Sequence, residues 1–215
     1  MPADPATSGL APAQANPDAS RVLVFWLEDG VQLGWPSRNM SELWFGGGAA
    51  LDQSINRDFG ALVRQSLAGG LTAWENQPME RLALVILLDQ FARNVFRAQA
   101  QAFAGDARAL SLVMDGIDRG WDRQLPLAGS VFFYMPLMHA ENLAVQETCI
   151  RCFQALLADA APERRKALQG NVDFALSHRD IIARFGRFPY RNAALGRTSR
   201  SEEEEFLRSG PRFGQ

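Results

Sequence analysis

Residues 82–97 read LALVILLDQFARNVFR. At about 100° per residue, Leu84, Leu87, Leu88, Phe91 and Val95 fall on one stripe of a helix, while Leu82, Val85 and Ile86 cover the opposite side. A helix that is apolar nearly all round sits inside other helices rather than on a surface. Its second half turns polar: Asp89, Gln90, Arg93, Asn94 and Arg97 share a face. Asp89 and Arg93 stand at i and i+4 in the favourable acid-first order, on the line continued from Leu82 and Ile86. A carboxylate and a guanidinium taken out of water must pair with each other or serve a ligand. An internal salt bridge that locks helices together and a polar site that takes a ligand both fit the spacing.

Helix punctuation extends outward from this segment. Pro78 begins the helix that runs to about Phe96, and a helix over about Ala49–Leu67 precedes it, with Leu51, Ile55, Phe59, Leu62 and Val63 in register and Gly69–Gly70 as its stop. Phe103–Ile117 forms another, closed by Gly120. Pro126 opens a turn or short helix to Tyr134, and Pro136 fits the first position of a long helix to about Leu157. Pro162 opens a helix that reaches Phe185 and ends at Gly186. Ser201-Glu202-Glu203-Glu204 has the form of a capping box with acids in the first turn. Residues 28–48 look like a long loop pinned by Trp35, Trp44 and Phe45. Arg21–Leu27 (RVLVFWL) reads as strand by propensity and as helix if Asp18 or Ser20 caps it. Residues 1–19, rich in Ala, Pro, Ser and Asn, read as a flexible tail ahead of a single domain over 20–215. No long stretch alternates with period two and no βαβ rhythm occurs, so the class is all-α.

Composition bounds the function. The 215 residues are 47% hydrophobic and 21% charged, with a formal net charge of -2. That excludes a disordered chain and disfavours a general nucleic-acid binder. The longest strongly apolar run, Leu82–Leu88, is far too short for a bilayer, and no signal peptide is discernible, so the expectation is a cytoplasmic protein. Cys149 and Cys152 do not make a disulfide framework. Their C-x-x-C spacing falls in mid-helix rather than at a helix N-terminus, which favours packing over redox or zinc chemistry. No metal and no cofactor is expected. Every basic residue but Lys166 is an arginine, the side chain best suited to paired carboxylates and anions.

Two histidines complete the polar inventory. His178 shares a helix face with Phe174, Ile181, Ile182 and Phe185; His139 is read onto a face with Asn142, Leu143, Gln146 and Ile150. Each is either a satisfied core residue or half of an imidazole pair beside Asp89 and the arginines. Residues 184–200 carry Arg184, Arg187, Arg191, Arg197 and Arg200 with no acid among them, interleaved with Phe185, Phe188 and Tyr190. The segment reads as an anion-binding strip or as a loop whose arginines reach distant acids.

The segments LDQFARNVFR (88–97), FYMPLMHAENL (133–143) and HRDIIARFGRFPYRNAALGR (178–197), together with VLVFWL and AFAGDARAL (102–110), resemble the bacterial domain-of-unknown-function family numbered nine-two-four. The resemblance runs from about Val22 to Phe213. It implies that Arg21–Leu27 is helical and that helical hairpins pack as a tetratricopeptide-like array; it implies no reaction. Asp89, Gln90, Arg93, Asn94, His139, Glu141, His178, Arg187, Arg191 and Asn192 match the family pattern. Ala92, Ala140, Asn142 and Tyr190 depart from it, where Pro, Ser, Asp and His are usual.

Three functions follow. One is a protein that binds an anionic small molecule or peptide carboxylate through Arg93, Asn94, His139, Arg187, Arg191 and Asn192. A second is an enzyme using the same pocket, with His139, His178 or Asp89 in acid–base roles. A third is a structural interaction module whose polar cluster is internal glue. No nucleophile elbow, P-loop or dinucleotide fingerprint selects a reaction class. Oligomeric state is left open by the sequence.

Overall fold

The computed structural model describes residues 16–210, and every regular element among them is helical. Helix α1 spans Pro17–Leu27, capped by Asn16, whose side-chain oxygen accepts from the amides of Asp18 and Ala19 at 3.0 and 3.3 Å. Tertiary burial of Val22, Leu23, Trp26 and Leu27 overrides the strand propensity of these residues. The cap lies at Asn16, not at Asp18 or Ser20, so residues 17–19 of the expected tail belong to a helix and Asn16 caps it; residues 1–15 of that tail lie outside the described residues.

The stretch 28–48 is more regular than expected. A short helix α2 (Gly30–Leu33) and a π turn (Glu42–Gly46) interrupt it. Trp44 donates its ring N–H to the Trp26 carbonyl at 2.7 Å and meets Trp35 edge-to-face, so these two tryptophans do pin the segment. Phe45, expected to share that task, is largely exposed. Helix α3 spans Ala49–Leu67.

Helix α4 (Pro78–Val85), a π-helical segment (Ile86–Phe91) and α5 (Ala92–Val95) form one continuous helical run. All of 82–88 is fully buried, as the apolar-all-round reading requires. Within the π segment the Ala92 amide reaches the Leu87 carbonyl, five residues back. This wider turn is rare and recurs at functional sites. Its second central neighbour is α7 (Leu127–Met138), buried from Ala128 through Met138. The boundary expected at Pro136 is therefore wrong: Pro136 sits inside the last turn of α7, where it removes one backbone hydrogen bond close to where the helix ends anyway. The chain turns at 139–142 and re-enters as α8 (Leu143–Ala158), capped by Asn142, which accepts from the Val145 amide at 3.2 Å. His139 thus lies in the turn, not on the face of α8 that its sequence spacing suggested. Asn142, a departure from the family pattern, keeps the capping chemistry of the usual Asp.

Helix α6 covers Asp106–Asp118, and α9 covers Pro162–Phe185, stopped by Gly186 in the left-handed region at φ 70°. Helix α10 (Ser201–Ser209) closes the described chain. Its N-cap is Arg200 rather than Ser201, and the carboxylate of Glu203 accepts the Arg200 amide at 2.8 Å, so the capping contact is shifted by one residue from the expected box. Apolar side chains form a large core spanning α1 to α9 and a small separate cluster of Ile181, Ile182, Phe185 and Phe188, with Tyr190 and Phe206 against it.

Candidate functional site

The π segment positions the centre of the site. Asp89 is fully buried on it; the Gln90 amide donates to its Oδ2, and its nearer charged partner is not Arg93 but His139, whose Nδ1 lies 2.7 Å from Asp89 Oδ1. Arg93 stands 3.4 Å from the same oxygen and closer, at 3.1 Å, to Asp106. Burial alone would push the Asp89 carboxyl up; the His139 ring, the Arg93 guanidinium and the Gln90 amide outweigh it and hold it well below the usual carboxylate range. Arg93 is likewise penalised by burial yet held charged by Asp89 and Asp106.

Asp106 enters because Gly105 allows it. A Cβ at Gly105 would stand 2.5 Å from the Leu88 carbonyl, so only glycine lets the start of α6 approach the π segment this closely. Asp106 then accepts from Arg191 at 3.0 Å while it faces Arg93. Two guanidiniums, each mostly shielded from solvent, share this one carboxylate. The Nε atoms of both Arg93 and Arg191 are buried without an acceptor. Arg191 is packed between the rings of Phe103 and Phe188, at 4.8 and 4.6 Å. Its guanidinium pKa is lowered by burial and by the like charge of Arg93.

The two histidines do meet. Their ring centres are 6.2 Å apart. His178 is buried on α9 with Nδ1 at 2.8 Å from the Phe174 carbonyl. Burial, then His139 and Arg191, depress its pKa to about 3 against the pull of that carbonyl, so the ring is neutral near pH 7. His139 keeps a partly exposed edge, and its Nε2 makes no hydrogen bond to any described residue.

The remaining sequence candidates lie elsewhere. Asn94 turns toward α3 and donates to Asp52 at 2.8 Å, beside Arg97 on the same carboxylate. Arg187 and Asn192 converge on Glu203, which is fully buried. The Arg187 guanidinium and then the Arg200 contacts hold the Glu203 carboxyl well below its usual range. Glu141 ties the 186–200 segment to the turn that carries His139: it accepts from the Phe188 amide at 2.8 Å and from Arg197 at 2.7 and 2.9 Å.

Sequence reasoning missed Asp106 and Glu203 and gave Glu141 no role. Their signals were faint: Asp106 and Glu141 fall inside segments quoted for the family resemblance, and Glu203 sits in an acidic run. Cys149 and Cys152 are free thiols whose burial raises their pKa, that of Cys152 to about 11, which suits packing rather than reactivity. Among the described residues no group of three or more His, Cys, Asp or Glu is placed to hold a metal, and no helix is long and apolar enough to cross a membrane. Two open clefts, of about 600 and 360 Å³, are lined by Leu157, Arg165, Lys166 and Gln169 and by Phe185, Arg187, Thr198 and Arg200. Asp89, Arg93 and His139 line neither of them.

A model of the bacterial family DUF924, described as proteins of unknown function, matches residues 22–211. A solved structure of a protein of unknown function from Agrobacterium tumefaciens is 33% identical, with a TM-score of 0.73, over 89% of this chain and 97% of that one. No curated protein matches.

Proposed function

The chain belongs to that bacterial family of unknown function, and from this premise we propose that it binds an anionic small molecule or a peptide carboxylate at the cluster of Arg93, Arg191 and His139. One observation carries the reading. Two buried guanidiniums converge on the single carboxylate of Asp106, and each keeps an Nε–H without an acceptor. Buried donors are almost always satisfied, so a protein that leaves two of them open at one spot has room in its chemistry for an acceptor from outside. Partly exposed Gln90, Phe103, His139 and Tyr190 give the approach. Arg187, Asn192 and Asn94, committed to Glu203 and Asp52, support the site from outside it.

A thermal-shift screen of carboxylates and phosphates tests this. A true ligand at 100 times its Kd stabilises the fold by about 2.7 kcal/mol, and Arg191→Gln abolishes that gain. A screen in which every anion acts alike on the wild type and on Arg191→Gln defeats the proposal.

The 2.7 Å contact between Asp89 and His139 favours a second reading, an enzyme in which His139 is the general acid–base group. The carboxylate fixes Nδ1 and leaves Nε2 for a substrate. We further read the antiparallel pair α8–α9, joined over residues 159–161, as one of the tetratricopeptide-like hairpins the family resemblance implies. We also propose a cytoplasmic protein that binds neither nucleic acid nor membranes; the net charge of -2 supports the nucleic-acid part of that reading, since phosphate backbones select basic surfaces.

A further inference from the structure

We propose that the site is selective for a monoanionic carboxylate and that each carboxylate bound brings one proton onto Nε2 of His139. The proposal rests on the anion-binding reading above and deepens it.

It stands on the count of charges around the two open guanidiniums. Arg93 and Arg191 are balanced by Asp89 and Asp106, at 3.4, 3.1 and 3.0 Å across the contacts they make. The cluster is therefore neutral when His139 is neutral. A further anion brought among these shielded groups adds an uncompensated negative charge, which is costly where water is scarce. The remedy must come from a group that can still gain a positive charge. Arg197 is held bidentately by Glu141, and Arg187 by Glu203. His178 is buried, faces His139 and feels Arg191, all of which, burial first, disfavour a second imidazolium there. Lys166 lies on a different cleft.

His139 is the group left. From the buried helical run it faces Asp89; from α9 it faces His178; in its own turn it neighbours Glu141, already paired with Arg197; the 186–200 segment contributes Arg191 behind His178. With Nδ1–H donated to Asp89 Oδ1, the neutral ring exposes Nε2 as an acceptor, which repels an anion's lone pairs. One solvent proton on Nε2 turns it into a donor, supplies the missing charge and places imidazolium between Asp89 and the incoming oxygen. Only one such proton is available, so one negative charge is matched. A carboxylate meets that condition; a phosphate dianion does not.

The test uses the full chain with acetate and inorganic phosphate as probes. The chain has only two histidines, so ring signals in NMR spectra are assigned with His139→Gln. Acetate is expected to saturate at pH 6, to raise the pH at which His139 titrates while leaving His178 unmoved, and to weaken about tenfold per pH unit once His139 is neutral in the free protein. In His139→Gln, whose amide carries no charge at any pH, acetate binding is expected to fall at pH 6 to about the level of the wild type at pH 8 and to lose that pH dependence. Phosphate at pH 8 is expected to bind more weakly than acetate. Acetate binding that Arg191→Gln removes but that is flat between pH 6 and 8 overturns the proton linkage and leaves the anion site standing. Tighter binding of phosphate than of acetate at pH 8 overturns the choice of a monoanion. No saturable response to either anion at any pH, with Arg191→Gln indistinguishable from wild type, overturns the anion site and the linkage together.

Discussion

At the residue scale the i, i+4 pair of the sequence, Asp89 and Arg93, is one arm of a larger arrangement. Of its two charged partners the Asp89 carboxylate lies nearer His139, at 2.7 Å against 3.4 Å for Arg93, and the carboxylate nearest Arg93 is that of Asp106, at 3.1 Å. Arg93→Ala leaves two shielded carboxylates short of a cation and is expected to cost about 3–5 kcal/mol in urea unfolding. The coupling energy between Asp89→Ala and His139→Ala is expected to reach about 1–3 kcal/mol and to exceed that between Asp89→Ala and Arg93→Ala. The reverse order in the two double-mutant cycles contradicts the geometry. His178 adds a pH dependence of defined sign. Its folded value of about 3 lies below the roughly 6.5 of an unfolded histidine, so the unfolded chain takes up the proton first. The stabilisation is complete above about pH 6.5 and is lost as the pH falls toward 3. Between pH 7 and 5, above the range in which unfolded Asp titrates, His178 alone is expected to account for about 2 kcal/mol of lost stability. Urea titrations of His178→Gln are expected to lack that part of the slope; an unchanged slope contradicts the buried neutral ring.

At the scale of elements, prolines and glycines made most of the helices legible. Pro78, Pro162, Gly69 and Gly186 mark real ends, because the ring fixes the first turn and glycine accepts the left-handed stop. Pro136 misled because a proline is also tolerated where a helix has few turns left to break. The π segment was not legible at all. A wheel drawn at about 100° per residue places Asp89 beside Arg93, but a turn with one extra residue rotates Asp89 toward His139, 50 residues away in the chain. Asp106, Glu141 and Glu203 escaped for a related reason: their partners lie 85, 56 and 16 residues distant, and no periodicity reports such distances. Gly105 is the element-scale test. Its backbone has an ordinary negative φ, so alanine there is not strained by conformation, only by the 2.5 Å approach to the Leu88 carbonyl. Gly105→Ala is expected to destabilise by about 1–3 kcal/mol through this overpacking and to move Asp106 away from Arg191. A neutral effect on unfolding shows that α6 and the π segment are free to part at no cost.

At the scale of the whole molecule the chain has a large core and a small dependent one. The main core joins α1 through α9, while Ile181, Ile182, Phe185 and Phe188 form a separate cluster with Tyr190 and Phe206 packed against it. That cluster buries four apolar side chains, far fewer than the main core, so polar clasps are expected to matter there more. Glu203 is the principal one. Fully buried, it gathers Arg187 at 2.7 Å through two nitrogens, Arg200 at 2.9 Å and Asn192 at 3.3 Å, which fastens α10 over the 186–200 segment. The same segment carries Arg191 into the site and is anchored at its other side by Glu141. Glu203→Gln keeps the shape but leaves two guanidiniums facing an amide, so the clasp opens at little cost to the main core. Amide hydrogen exchange is expected to rise across 186–209 while α4 and α7 keep their protection. Anion binding at Arg191 is expected to weaken with it, although Glu203 itself is paired elsewhere. Uniformly faster exchange throughout the chain contradicts the two-core division, and unchanged exchange in 186–209 shows that the small apolar cluster holds the segment without its clasp.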